Sequence, residues 1–159
     1  FEALVVCHRQ HVGSKGGRRP LAKHWAGPGN LTALQHACLR GEDKNKAEKP
    51  LDQALDLVSW FTAPNETVFD PYAGRATFGL ACRILGRGYL GFEIRKDEHA
   101  RAQQRLSEPL TARDGERVER WLEATYEPVS APEGPAVLRA RARELDRRLV
   151  RRFLRRVAA

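Results

Sequence analysis

Two carboxylates and a glycine, Asp70, Gly74 and Glu93, are the residues of this sequence best placed to do chemistry. Asp70 ends the β-favouring run Val68-Phe69 and opens the turn Asp70-Pro71-Tyr72-Ala73-Gly74-Arg75-Ala76-Thr77. Phe78 to Leu85 reads as a helix stopped by Gly86, and Gly88 to Ile94 as a second short apolar strand with Glu93 near its end. Strand, turn, helix and strand make a βαβ unit, which binds nucleotide-like ligands at the carboxyl ends of its strands. Gly74 lets the backbone approach such a ligand closely. Glu93, about twenty residues past the turn, stands where a carboxylate accepts hydrogen bonds from two ribose hydroxyls. The motif G-x-G-x-x-G is absent. Asp-Pro-Tyr in its place is a poor seat for a pyrophosphate at a helix N-terminus and suits a cationic ligand. A dinucleotide-dependent oxidoreductase is therefore the weaker reading.

Lys49-Pro50-Leu51 at the head of a helix, then Asp70-Pro71-Tyr72-Ala73-Gly74-x-x-Thr77, then Gly91-Phe92-Glu93-Ile94 resemble the S-adenosylmethionine-binding part of amino-type DNA methyltransferases of the β class. Those enzymes methylate N6 of adenine or N4 of cytosine. The resemblance runs from about Glu48 to Leu106 and, more weakly, over Phe1 to Arg9, which is similar to a strand late in the family's catalytic half. It implies an α/β, Rossmann-like methyltransferase fold with a partial sheet and a C-terminal helical extension. It also implies S-adenosylmethionine as cofactor, DNA as partner and a place in restriction-modification. Carried over residue by residue, Lys49 and Pro50 border the methionine end of the cofactor. Asp70 holds the turn near the methionine amino group. Pro71, Tyr72 and Ala73 shape the pocket wall, Gly74 lies at the close approach, and Thr77 caps the helix. Glu93 takes the ribose, with Ile94 beside it. The cofactor's sulfonium and α-amino group agree with acids at these positions. Three departures stand out: Arg75 replaces the usual serine, Ala76 the usual glycine, and Asn45-Lys46 the common His-Pro. Alanine tolerates positive φ poorly, so reduced cofactor affinity is an expectation.

The elements that position these residues follow from periodicity. Pro50 suits the first turn of a helix, whose stripe is Leu51, Leu55, Val58 and Phe61 with Ala54 and Leu57 beside it. Lys96 to Leu106 continues as a helix packed through Ala100, Ala102 and Leu106. Ala112 to Tyr126 is another, with Val118, Trp121 and Leu122 inward. The expected organisation is a methyltransferase-like domain over 1–126, a linker over 127–135 rich in Pro and Gly, and a basic amphipathic helix over 136–159. That helix spaces Leu138, Ala142, Leu145, Leu149, Phe153 and Val157 at three or four. It packs either on this domain or on a partner. Ala3 to Cys7 reads as a buried strand, 10–48 as a long loop with Leu31 to Arg40 a short helix inside it.

The 159 residues suit one domain. No long apolar run or signal peptide is seen, so the expectation is a cytoplasmic protein without a membrane partner. The net charge of +8 is uneven: Gly134 to Ala159 holds nine arginines against Glu144 and Asp146, whereas 1–133 carries 19 basic and 18 acidic side chains. The tail, with Arg147, Arg148, Arg151 and Arg152, is a candidate for phosphate contacts. In the loop, Lys15, Arg18, Arg19 and Lys23 are candidates for phosphate and Trp25 for base stacking; the alternative is a solvated loop with Trp25 on the core. Three widely spaced cysteines make no disulfide framework. Cys7, His8, His11, His24, His36 and Cys38 lack the paired spacing of a zinc site, and no metal is expected.

No catalytic residue is assigned. Amino methyltransferases use a tetrapeptide of the type Asp/Asn/Ser-Pro-Pro-Tyr/Phe, which accepts hydrogen bonds from the exocyclic amine and stacks on the flipped base. Ala63-Pro64-Asn65 and Ala131-Pro132-Glu133 do not qualify. In the β order the tetrapeptide precedes the strand at Ala3–Cys7. Three alternatives follow: a carboxyl-terminal part of a longer enzyme, a chain whose partner subunit carries the tetrapeptide, or a degenerate relative that binds nucleic acid without catalysis.

Overall fold

A parallel strand pair joined by a helix stands where the sequence places its βαβ unit. The computed structural model describes residues 48–124 and 135–157. In chain order these form α1 (Leu51–Phe61), β1 (Thr67–Asp70), α2 (Thr77–Leu85), β2 (Gly88–Gly91), α3 (Lys96–Ser107), α4 (Ala112–Glu123) and α5 (Pro135–Val157). Thr67 lies opposite Gly88 and Asp70 opposite Gly91, so both strands end at the same edge. This is an α/β, Rossmann-like unit with a partial sheet and a C-terminal helix. The strand Ala3–Cys7, the helix Leu31–Arg40 and the loop before Glu48 lie outside the described residues, as does the linker through residue 134; Pro135 already belongs to α5. No described helix is long and apolar enough to cross a membrane.

The core is the seam between α1 and α2, closed by α4 and α5. Leu51, Ala54, Leu55 and Val58 meet Leu80, Ala81, Ile84 and Leu85, with Val118, Trp121 and Val150 behind them. Cys82 is buried in this seam, and burial pushes its thiol up to about 11. Val68 and Tyr89 turn toward the core. Phe69, Leu90 and Phe92 face the other way and are exposed; the rings of Phe69 and Phe92 meet edge-on at 5.8 Å.

Buried polar pairs join the helices. Asp52 and Asp56 on α1 are buried, yet Asp52 accepts from Arg117 Nη1 (2.8 Å) and Asp56 from Trp121 Nε1 (2.8 Å), both on α4. Such partners offset the desolvation of a buried carboxylate, which left unpaired costs more than the ~1–3 kcal/mol of a neutral polar group. On α5, Asp146 accepts from Arg87 Nη1 (2.6 Å) and Nη2 (3.1 Å) and from Ser59 Oγ (2.7 Å). Burial pushes the Asp146 carboxyl up, while Arg87 and Ser59 pull it back.

Four expectations are corrected. Ala100 is exposed; α3 buries Glu98 and Ala102 instead, because Glu98 pairs with Arg75 and Arg101. In α5, Leu145 and Val157 are exposed, because Arg87 draws Asp146 inward and turns Val150 to the core with it. Thr77 does not cap α2: the N-cap is Ala76, and Thr77 Oγ1 instead accepts from Arg105 Nη1 at 3.2 Å. Pro50 is the N-cap of α1 rather than a residue of its first turn, its carbonyl accepting from Ala54 N.

Candidate functional site

The turn after β1 is held at both ends by carboxylates. Asp70 Oδ1 accepts from Tyr72 N at 3.1 Å, an Asx-type closure, and Asp70 Oδ2 accepts from the Tyr89 hydroxyl at 3.2 Å. Gly74 N donates to Glu93 Oε2 at 2.9 Å, and Arg95 N to Glu93 Oε1 at 2.9 Å. The backbone ties the same two segments together, with Phe92 N donating to Asp70 O and Ala73 N to Phe92 O. The Glu93 side chain is only 10% exposed. The Arg95 backbone N–H, then that of Gly74 and the Arg95 charge, hold its carboxyl below the usual glutamate range against the opposing effect of desolvation.

Two residues of the turn take left-handed backbone, Gly74 at φ 51° and Ala76 at φ 54°. A side chain at Gly74 would meet nothing within 4 Å, so the glycine serves the conformation and leaves open space above it. Ala76 adopts the strained region that the sequence made doubtful, at a cost of about 1–2 kcal/mol for an L-residue. The turn nevertheless forms, with Ala76 buried and its N–H bonded to Ala73 O at 2.7 Å.

Arg75 is accounted for by its partners. Its Nε donates to Glu98 at 3.2 Å, and its Nη1 lies 3.6 Å from Glu48. Arg105 continues the network, donating to Glu48 (2.9 Å), Thr77 Oγ1 (3.2 Å) and Asp114 (3.0 Å). The network therefore joins the head of α1, the turn, α3 and α4. It borders a cavity of about 710 Å³ that Lys49, Leu51, Arg75 and Arg105 help line. Neither Asp70, Tyr72, Gly74 nor Glu93 lines that cavity. The strand-end surface is a separate, open place where Pro71, Tyr72 (88% exposed) and Ile94 (96% exposed) are presented.

The structure thus brings together Asp70, Tyr72, Ala73, Gly74 and Glu93 at one edge. It puts Lys49 and Pro50 at the head of α1, on the network side of the turn. The sequence reading missed Tyr89 and Arg105. The only signal for Tyr89 was two glycines: a Cβ at Gly79 would fall 2.7 Å, and one at Gly91 2.6 Å, from its ring atoms. Of the basic candidates, Lys15, Arg18, Arg19, Lys23 and Trp25 lie outside the described residues. Arg147 is half-buried and donates to Ala124 O at 2.7 Å, whereas Arg148, Arg151 and Arg152 are exposed, Arg148 with a Glu144 partner at 3.0 Å. Among the described residues no group of three His, Cys, Asp or Glu is placed to hold a metal ion.

Comparison with known proteins agrees with the motif order. The family profile described as DNA methylase, of the N6/N4 type, matches residues 9–104. YubD of Escherichia coli strain K12, a methylase by name, is 37% identical over 67 residues, which cover 42% of this chain and 30% of YubD. The type II methyltransferase M.HinfI of Haemophilus influenzae is 31% identical over 68 residues, covering 43% of this chain and 19% of that enzyme. The matched stretch thus spans a third or less of the length of these curated relatives. The crystal structure of the M1.HpyAVI–SAM complex aligns with a TM-score of 0.44 and 33% identity over 52% of this chain and 43% of the other.

Proposed function

The chain belongs to the DNA methylase family, and on that premise we propose that it supplies the cofactor-binding part of an enzyme that methylates an exocyclic amine of adenine or cytosine in DNA, with S-adenosylmethionine as donor. The observation that supports this most is the turn braced between Asp70 and Glu93 at the common end of two parallel strands. The residues fit the donor: two carboxylates suit its cationic amino group and its ribose hydroxyls, and Gly74 leaves open space above the turn. In this reading Asp70 binds the amino group and Glu93 the ribose. Pro71, Tyr72, Ala73, Gly74 and Ile94 form the wall, Lys49 and Pro50 border the methionine end, and Thr77 supports the turn from α2. When bound, the donor supplies an electrophilic methyl group on its sulfonium. What the chain contributes is position and orientation, which can account for a large part of such a reaction's barrier, about 7–11 kcal/mol.

DNA contact is assigned to the exposed arginines of α5, Arg148, Arg151 and Arg152, with Arg147 at their border, and to Lys15, Arg18, Arg19, Lys23 and Trp25 before Glu48. The absence of the Pro-Pro-aromatic tetrapeptide from the sequence favours a second reading. In it the chain is a non-catalytic methyltransferase-like subunit that binds nucleic acid or a partner protein, keeping the fold without the chemistry. Calorimetry of the chain with S-adenosylmethionine and S-adenosylhomocysteine tests the first reading against the second. Binding that weakens about 10-fold or more on Asp70→Ala is expected, from loss of a hydrogen bond to a charged group. No heat with either ligand on a folded sample refutes the first reading. In tritiated methyl transfer to mixed-sequence DNA the chain alone, lacking the tetrapeptide, is expected not to methylate; methylation would refute the claim that its catalytic part lies elsewhere.

A further inference from the structure

We propose that Tyr89 is a positioning residue for the cofactor turn, acting through Asp70; this rests on the cofactor reading above. Tyr89 lies on β2, its hydroxyl directed back to β1, where it donates to Asp70 Oδ2 at 3.2 Å. The other oxygen, Oδ1, is taken by Tyr72 N at 3.1 Å. Each carboxylate oxygen thus has one internal donor, which fixes the rotation of the carboxylate and leaves each oxygen a second acceptor direction for a ligand. Without the hydroxyl, Asp70 would keep only the turn's own N–H, and its plane would be free to swing.

The chain gives up side chains to keep this ring in place. A Cβ on Gly79 of α2 would lie 2.7 Å from Tyr89 Cε1, and one on Gly91 of β2 2.6 Å from the same atom. Both glycines have ordinary negative φ, so their lack of a side chain answers to the ring and not to backbone conformation. A ring slotted between α2 and the end of β2 has little freedom to turn. The hydroxyl is therefore delivered to Asp70 by packing rather than by a flexible stem. Desolvation and the neighbouring Asp70 both push the phenol's ionisation upward, so it stays a proton donor throughout the neutral range.

The test uses the 159-residue chain with Tyr89→Phe, Asp70→Asn and the double variant, with S-adenosylhomocysteine as the probe. Tyr89→Phe keeps the ring in its slot and removes only the donor. We expect affinity to fall about 3- to 10-fold, a partial loss of a charge-assisted hydrogen bond's effect, and we expect the same change to have no further effect in the Asp70→Asn background. Unchanged affinity overturns the inference, as does an equal loss in both backgrounds, which would mark a purely structural tyrosine. Should the parent chain bind no probe, the cofactor reading fails first. The positioning is then read without ligand from hydrogen exchange of the Tyr72 amide, which is expected to speed up in Tyr89→Phe. Equal exchange in the two chains overturns it.

Discussion

Replacing Asp146 by alanine should loosen α5 from the domain. The pair it forms with Arg87 is enclosed, each side chain being 1% exposed. Asp146 accepts three hydrogen bonds, two from Arg87 and one from Ser59. Removing one partner of a buried ion pair costs about 3–5 kcal/mol, because the other charge is left without compensation. Arg87 would keep Leu85 O at 2.6 Å and Thr62 O at 2.8 Å, which places the cost toward the lower end. Ser59 adds about 1 kcal/mol for its lost acceptor. A total of about 3–4 kcal/mol is a large part of the roughly 5–15 kcal/mol that holds a domain folded. With a urea slope of about 1–3 kcal/mol/M, the midpoint should fall by about 1–4 M. Urea unfolding followed by circular dichroism measures this. A drop under about 0.5 M would mean that Arg87 is satisfied by its carbonyl partners alone. The combination Arg87→Met with Asp146→Leu serves as the control: it removes both charges, so most of the loss should be recovered. Failure to recover would show that the site depends on shape rather than on the charge balance.

Arg75→Ser should cost about 1 kcal/mol in thermal melts, the effect of a partly exposed ion pair, and leave S-adenosylhomocysteine affinity within about two-fold, since its described partners are Glu48 and Glu98; a larger loss of affinity would make Arg75 a ligand contact. Gly79→Ala should destabilise by about 1–3 kcal/mol through overpacking against Tyr89, read by denaturant midpoint; a neutral result would mean that the ring moves freely. The lowered Glu93 ionisation means that its brace on Gly74 is fully present above the ordinary glutamate value of about 4.3 and is lost as pH falls through the depressed one. Exchange protection of the Gly74 and Arg95 amides should therefore hold from about pH 7 to about pH 5 and fade only in stronger acid; fading near neutrality would contradict the assignment.

The βαβ unit was legible because it is local. Two β-favouring runs, a helix-length apolar segment and glycine stops fix β1 and α2 within a residue or two and the start of β2, whose end falls three residues early at Gly91, and no distant contact is needed to choose among alternatives. Helix faces were less legible. An apolar period identifies a stripe, yet the buried side of a helix is decided also by polar groups that meet partners far along the chain. Asp146 is the clearest case: spacing by Leu145, Leu149 and Phe153 aims the helix one way, and Arg87, 59 residues earlier, turns it. Glu98 displaced Ala100 from the packed face of α3 for the same reason, its partner Arg75 lying 23 residues away. Neither pairing leaves a periodic trace.

In the site, residue type was readable and linkage was not. Asp70, Gly74 and Glu93 announced an acid-flanked turn, but both acids spend part of their hydrogen-bonding capacity on the turn itself, which residue type does not reveal. That changes what substitutions there mean. Asp70→Ala removes the proposed ligand group and the lock on Tyr72 N together, so its effect on binding has two sources. Tyr89→Phe disturbs the same carboxylate while leaving every proposed ligand group in place. A comparison of the two separates how much of the site's affinity resides in the charge of Asp70 and how much in its orientation. The departures at Arg75 and Ala76 resolve in the same terms. The arginine is turned into a network with Glu48 and Glu98 that the serine it replaces could not make, and that network anchors the loop in which Ala76 holds its left-handed backbone. Strain at Ala76 and ion pairing at Arg75 thus act in opposite directions on one turn: Ala76→Gly should relieve it, Arg75→Ser should loosen it, and the double change should fall between the two.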